Sequence, residues 1–158
     1  FAMTAAMPFA VGRQIFYLGD TKFFGGPVSS KAAKCGQIIP VDMEARLVNA
    51  LQLSAYVLRP GKVLCVFPEG ARSRDGRIKE FKKGVAIIAK ELNVPLVPVA
   101  IAGSWTVLRP GSLRVPPGTV RVRLLEPIEV EGWAPRGVES LLAHVQGMVE
   151  SALEPAVP

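Results

Sequence analysis

Val63-Leu64-Cys65-Val66-Phe67-Pro68-Glu69-Gly70-Ala71-Arg72-Ser73 sets a short apolar run directly against a turn. Val63 to Val66 has the length and composition of a buried strand, and Phe67-Pro68-Glu69-Gly70 stops it abruptly. The turn then carries a carboxylate (Glu69), a guanidinium (Arg72) and a hydroxyl (Ser73). Loops at strand ends commonly hold binding and catalytic groups. A glycine turn beside Arg and Ser also offers backbone N–H groups and a two-pronged donor to a phosphate.

Outward from this segment the chain alternates between strand and helix signals. Upstream, Arg13 to Leu18 reads as a strand closed by Gly19-Asp20, and Lys22-Phe23-Phe24-Gly25-Gly26-Pro27 reads as turn and loop. Ser29 and Ser30 suit the cap of a short helix through Lys34. Gln37 to Val41 is a second strand, which Pro40 places at a sheet edge or at its own end. Asp42 stands at an N-cap position before an amphipathic helix over 43–58, with Leu47, Ala50, Leu51, Ser54, Ala55 and Leu58 at helical spacing. Downstream, Gly84 to Leu92 reads as a helix stopped at Asn93, Leu96 to Ala102 as a central strand, and Val120 to Leu124 as a strand with one wet face. An amphipathic helix over 136–153 closes the chain, and Arg109 to Gly118 is a Pro- and Gly-rich surface loop suited to lie against a membrane. This order predicts one α/β domain with a mixed, largely parallel sheet flanked by helices.

The 158 residues have the length of an ordinary domain, 49% of them hydrophobic, with no apolar run near the ~18 residues needed to span a bilayer. The formal charge of +6 favours an anionic partner: nucleic acid, an acidic membrane surface or a phosphorylated small molecule. The basic residues are scattered and show no zinc-finger, RNA-binding or basic-helix pattern, so nucleic acid is not expected. Cys35 and Cys65 read as free, reduced thiols of a cytosolic setting. There is no nucleophile elbow, Walker loop, dinucleotide fingerprint or Cys/His cluster, and neither a metal nor a bound cofactor is expected.

Taken with Arg72-Ser73 and Val94-Pro95-Leu96-Val97-Pro98-Val99, the Phe67-Pro68-Glu69-Gly70 turn resembles the glycerophospholipid acyltransferase family, whose best-known members are lysophosphatidate acyltransferases. Gly36-Gln37-Ile38-Ile39-Pro40-Val41-Asp42 is similar to a second family block, with Met43 where Arg usually stands. Arg46, a turn further on, either substitutes for that Arg or is simply solvated. Lys22 lies in a stretch similar to one whose lysine contacts the acceptor phosphate. Asp75-Gly76 and Phe81-Lys82-Lys83-Gly84 continue the resemblance, which covers essentially the whole chain. It implies a glycerol-3-phosphate acyltransferase-like fold. It also implies acyl transfer from acyl-CoA or acyl-carrier-protein to the hydroxyl of a lysophospholipid or glycerol-phosphate acceptor, at the cytoplasmic face of a membrane. Glu69, Gly70, Arg72, Ser73 and Lys22 are the acceptor- and phosphate-binding residues it implies. Glu69 either orients Arg72 or receives the acceptor hydroxyl.

The family's catalytic block, a His followed by an Asp with four residues between, is not found among these residues. His144 is the single histidine, and Val149 holds the position where the Asp would stand, so a helix-surface role is expected of it. Because Phe1 to Pro8 resembles the segment that follows that block, the pair is expected just upstream of Phe1, and 1–158 reads as an acyltransferase domain truncated at its N-terminus. Without that base the chain should lose about 10²–10⁴ in rate. The rival expectation is a non-catalytic module that grips anionic lipid headgroups through the same basic loop.

Overall fold

The structure is a computed structural model that describes residues 9–20, 31, 33, 35–41, 47–59, 61–71, 73, 75–107 and 116–153. The chain divides into two compact units, Met3–Pro68 and Glu69–Pro158.

In the first unit, a one-turn helix α1 (Phe9–Gly12) leads into β1 (Ile15–Asp20), followed by β2 (Ile38–Val41), helix α2 (Leu47–Val57) and β3 (Val63–Cys65). The strands form a parallel sheet in the order β2-β1-β3, with Asp20 opposite Val41 and Tyr17 opposite Cys65. β1 is therefore central, and Ile15 on it is 2% exposed. Gly19 and Asp20 extend β1 rather than close it, because both are paired to β2. Pro40 sits on β2, an edge strand of this sheet, where its missing N–H leaves only one ladder to satisfy. Of the expected stripe, Ala50 and Ser54 are buried and Leu51 and Ala55 half-buried on α2, with Leu58 half-buried just past its end; Val57, not expected in the stripe, is also buried. Lys31, Ala33 and Cys35 are helical, consistent with the short helix expected there. The proposed caps Ser29 and Ser30, and Asp42, lie outside the described residues.

The second unit contains α3 (Gly84–Leu92), β4 (Val99–Ala102), the one-turn α4 (Ser104–Val107), β5 (Arg121–Leu124), a 3-10 segment Val130–Arg136 and α5 (Gly137–Leu153). Asn93 ends α3 in the left-handed region at φ 48°, and the Val94 N–H returns to the Ala89 carbonyl at 3.1 Å. β4 and β5 pair antiparallel, Val99 opposite Leu124 and Ala102 opposite Arg121. The central strand expected over 96–102 is thus corrected: among the described residues it is a four-residue strand with one neighbour, plus an isolated bridge from Leu96 to Ile128. Pro98, which lacks an N–H, interrupts the ladder between them and contributes only its carbonyl, to the Leu125 N–H at 2.9 Å. Phe81, Ala86, Ala89, Ala100, Ile128 and Val130 form a core with one stripe of α5, Leu141, Val145 and Val149. Leu141 is fully buried.

Candidate functional site

Because β1, β2 and β3 are parallel, their carboxyl ends, Asp20, Val41 and Cys65, lie on one edge of the sheet. Phe67, in the turn that the sequence singled out, follows β3 at that edge. Ligands of open α/β sheets bind outside the carboxyl ends of the strands. Phe67 is 52% exposed beyond β3 and stacks on Tyr17 of β1, with ring centroids 6.4 Å apart and planes 9° from parallel.

In the second unit, Glu69 is half-buried and its Oε2 accepts the Lys79 backbone N–H at 3.1 Å. The contact ties the turn to the segment leading into α3. Gly70 has φ +69°, a conformation that side chains rarely adopt. The space beside it is occupied: a Cβ there would stand 2.9 Å from Lys82 Cε and 3.3 Å from Lys82 Nζ. An open groove of about 450 Å³ runs along this contact, lined by Glu69, Lys79, Glu80, Phe81, Lys82 and Lys83. Phe81 anchors its floor, because its ring is in the core and its N–H is donated to Gln146 Oε1 of α5 at 3.1 Å. Lys83 pairs with Glu139 at 2.8 Å across exposed surface. Further along, Asp75 Oδ1 accepts the Arg77 N–H at 3.1 Å, and Gly76 at φ +81° lets the chain pass the Trp105 ring.

Of the residues assigned from sequence, the structure brings Glu69 and Gly70 together on the turn and places Ser73 half-buried three residues on. Arg72, Lys22, Arg74 and Arg46 lie outside the described residues. His144 is on the exposed part of α5, its ring 4.7 Å from that of Trp133, which also lies 5.1 Å from the Arg136 guanidinium and packs against the core. It is thus the helix-surface histidine expected. Burial pushes the Cys65 thiol up to about 11, so it is protonated at physiological pH and is no nucleophile. The lysines of the groove, Lys79, Lys82 and Lys83, received no site role from sequence. Their signal was present in the basic run ahead of α3, but nothing in one dimension joins Lys82 to Gly70.

These features define a class: an α/β protein with a motif-bearing turn at the carboxyl edge of a parallel sheet. A profile of the acyltransferase family matches residues 1–102, and the chain belongs to that family. It is 33% identical over 122 residues to the chloroplastic 1-acyl-sn-glycerol-3-phosphate acyltransferase BAT2 of Brassica napus, covering 75% of this chain and 36% of that protein. It is 35% identical over 89 residues to the 1-acyl-sn-glycerol-3-phosphate acyltransferase of Cocos nucifera, covering 56% of this chain and 29% of the relative. The crystal structure of the 1-acyl-sn-glycerophosphate (LPA) acyltransferase PlsC from Thermotoga maritima matches with a TM-score of 0.72 and 26% identity, over 89% of this chain and 56% of that one. The α/β fold expected from the sequence is the fold of that structure. The chain spans about a third of the length of the two curated relatives.

Proposed function

We propose that this chain is the acceptor-binding part of an O-acyltransferase of glycerophospholipid synthesis, acting on a 1-acylglycerol 3-phosphate or a related lysophospholipid with an acyl thioester as donor. The observation that carries this reading is the Glu69-Gly70 turn, its carboxylate held by the Lys79 N–H and its glycine in the left-handed region, beside a groove lined by three lysines. Glu69 and Glu80 line the same groove and offset two of those lysines, so the anionic headgroup is assigned to the basic turn that follows, on the family resemblance. In the proposed reaction a base takes the proton of the acceptor hydroxyl, and the oxygen attacks the thioester carbonyl. The C–S bond then breaks, and the thiolate leaves and is protonated, with no acyl-enzyme. The base is assigned to a His/Asp pair preceding Phe1 in a longer polypeptide. Arg72 is assigned to the acceptor phosphate, and Glu69 and Ser73 to its glycerol end. Among the described residues no helix is long and apolar enough to cross a membrane. Contact with the cytoplasmic face of a bilayer is proposed on the family resemblance, through peripheral association or a segment outside these residues.

The test is an acyl-transfer assay on the longer polypeptide with Arg72→Ala, run beside vesicle binding. Loss of one charge-assisted contact to phosphate, about 1.5–3 kcal/mol, predicts a fall in kcat/KM of about 10- to 150-fold. Headgroup binding without any turnover by the unmodified polypeptide would replace this reading with the non-catalytic module.

A further inference from the structure

We propose that the outer face of α2 lies along an anionic phospholipid bilayer and is the surface through which this chain meets the membrane that holds its acceptor. The inference rests on the reading of the chain as an acyltransferase of glycerophospholipid synthesis and adds to it a named contact surface.

α2 buries Ala50, Ser54 and Val57 and leaves Val48, Asn49, Gln52, Leu53 and Tyr56 exposed. Helical spacing sets Val48, Gln52 and Tyr56 in one row, with Asn49 and Leu53 in the next. Val48 is 65% exposed and Tyr56 71%. Single exposed apolar residues are ordinary, but three on one helix face form a continuous strip of the kind that marks an interaction surface.

The chemistry around the strip selects its occupant. The Arg59 guanidinium stands 5.8 Å from the centre of the Tyr56 ring, so a cation borders the strip at one end. From Ala45 to Pro68 the sequence holds Arg46, Arg59 and Lys62 and no carboxylate. A phenol ring with an apolar body and a polar tip suits the headgroup level of a bilayer, and a neighbouring guanidinium suits its phosphates. A second copy of the chain fits less well. An 11-residue helix is about 16 Å long, and three apolar side chains interrupted by Asn49 and Gln52 fall short of the ~800 Å² per partner of a stable interface. α2 also joins the carboxyl end of β2 to the amino end of β3, so a bilayer lying along it reaches the carboxyl edge that the Phe67 turn follows.

Co-sedimentation of this chain with vesicles tests the assignment, using phosphatidylcholine alone and equal parts of phosphatidylcholine and phosphatidylglycerol. The unmodified chain is expected to bind the mixed vesicles more tightly. Arg59→Gln should weaken that binding about fivefold, the effect of one basic residue at an anionic surface. Val48→Asp and Tyr56→Asp should each weaken it about tenfold, by removing apolar contact and adding repulsion. Leu124→Asp, which adds the same charge at an exposed position of β5, should leave it unchanged. Circular dichroism checks that each variant is folded. The inference is overturned if the α2 variants bind like the unmodified chain, if Leu124→Asp weakens binding as much as they do, or if the two vesicle types are bound alike or not at all. A dimer in analytical ultracentrifugation that Tyr56→Asp dissociates, with vesicle binding kept, would give the face to a second copy and overturn it too. Vesicle binding is read without turnover. A failure here therefore leaves the acyl-transfer reading standing, and a polypeptide that binds through α2 but transfers no acyl group overturns that reading alone.

Discussion

Replacing Gln146 by Met tests how the floor of the groove is held. Gln146 on α5 accepts the Phe81 N–H at 3.1 Å and donates to Glu150 Oε1 at 2.8 Å, while Phe81 itself is 5% exposed. Met keeps the length of the side chain and its apolar packing but has no acceptor for that N–H. Leaving one partly buried donor unsatisfied costs about 1–3 kcal/mol, whereas the exposed Gln146 to Glu150 contact is worth a few tenths. Gln146→Met should therefore destabilise by about 1–3 kcal/mol, and the midpoint of thermal unfolding should fall by about 2–4 °C per kcal/mol for a chain of this size. Glu150→Gln, which leaves the Phe81 bond in place, should stay within about 0.5 kcal/mol of the unmodified chain. Urea unfolding gives the free energies, and hydrogen exchange at the Phe81 amide gives the local effect. The reasoning is refuted if Gln146→Met matches Glu150→Gln in stability and the Phe81 amide exchanges no faster than before.

Gly103→Ala should cost about 1–3 kcal/mol from its φ of +82° alone, with more from the clash of the new methyl with the Thr119 carbonyl; a urea midpoint equal to that of the unmodified chain would count against it. The hydrogen bond to Lys83 holds the Glu139 carboxyl below its ordinary value, and the same bond holds the Lys83 ammonium above its own. A depressed carboxylate contributes stability above its unfolded-state pKa and loses it as pH falls through the folded-state value. The raised ammonium loses its share as pH rises through its own folded-state value. Glu139→Gln should therefore trail the unmodified chain at neutral pH and converge with it in acid; urea midpoints taken across the pH range check this, and a gap that persists unchanged in acid would refute it. Because Cys65 titrates near 11 while Cys35 is exposed, a thiol-alkylating reagent at mildly alkaline pH should label Cys35 first and Cys65 only on unfolding, as read by peptide mass mapping.

Much of the fold was legible because its periodicities are strong. The stripe Leu141, Val145 and Val149 is a clean helical repeat, and Asn93 announces a helix end by its tolerance of the left-handed region. The extent of strand 96–102 was overstated because an apolar run says nothing of which N–H groups find partners, and Pro98 removes one. The one-turn helices α1 and α4 and the 3-10 segment at 130–136 were missed. At that length tertiary contacts decide conformation, and Pro135 inside the last of them argues against any helix by propensity. In the candidate site, the turn at Glu69 and Gly70 was legible from Pro68 and the glycine that follows it. The approach of the Lys82 side chain to Gly70 was not, because it joins positions twelve residues apart.

The tyrosines and tryptophans happen to be sorted between the two compact units. Tyr17 and Tyr56 both fall in Met3–Pro68, and Trp105 and Trp133 both fall in Glu69–Pro158; the chain has no others of either type. Indole emission, excited beyond the reach of phenol absorption, therefore watches only the half that carries α5, and phenol absorbance reports the half that carries the parallel sheet once the overlapping indole change is subtracted. A single denaturation followed at both chromophores shows whether the halves melt as one body or in succession, with no label attached.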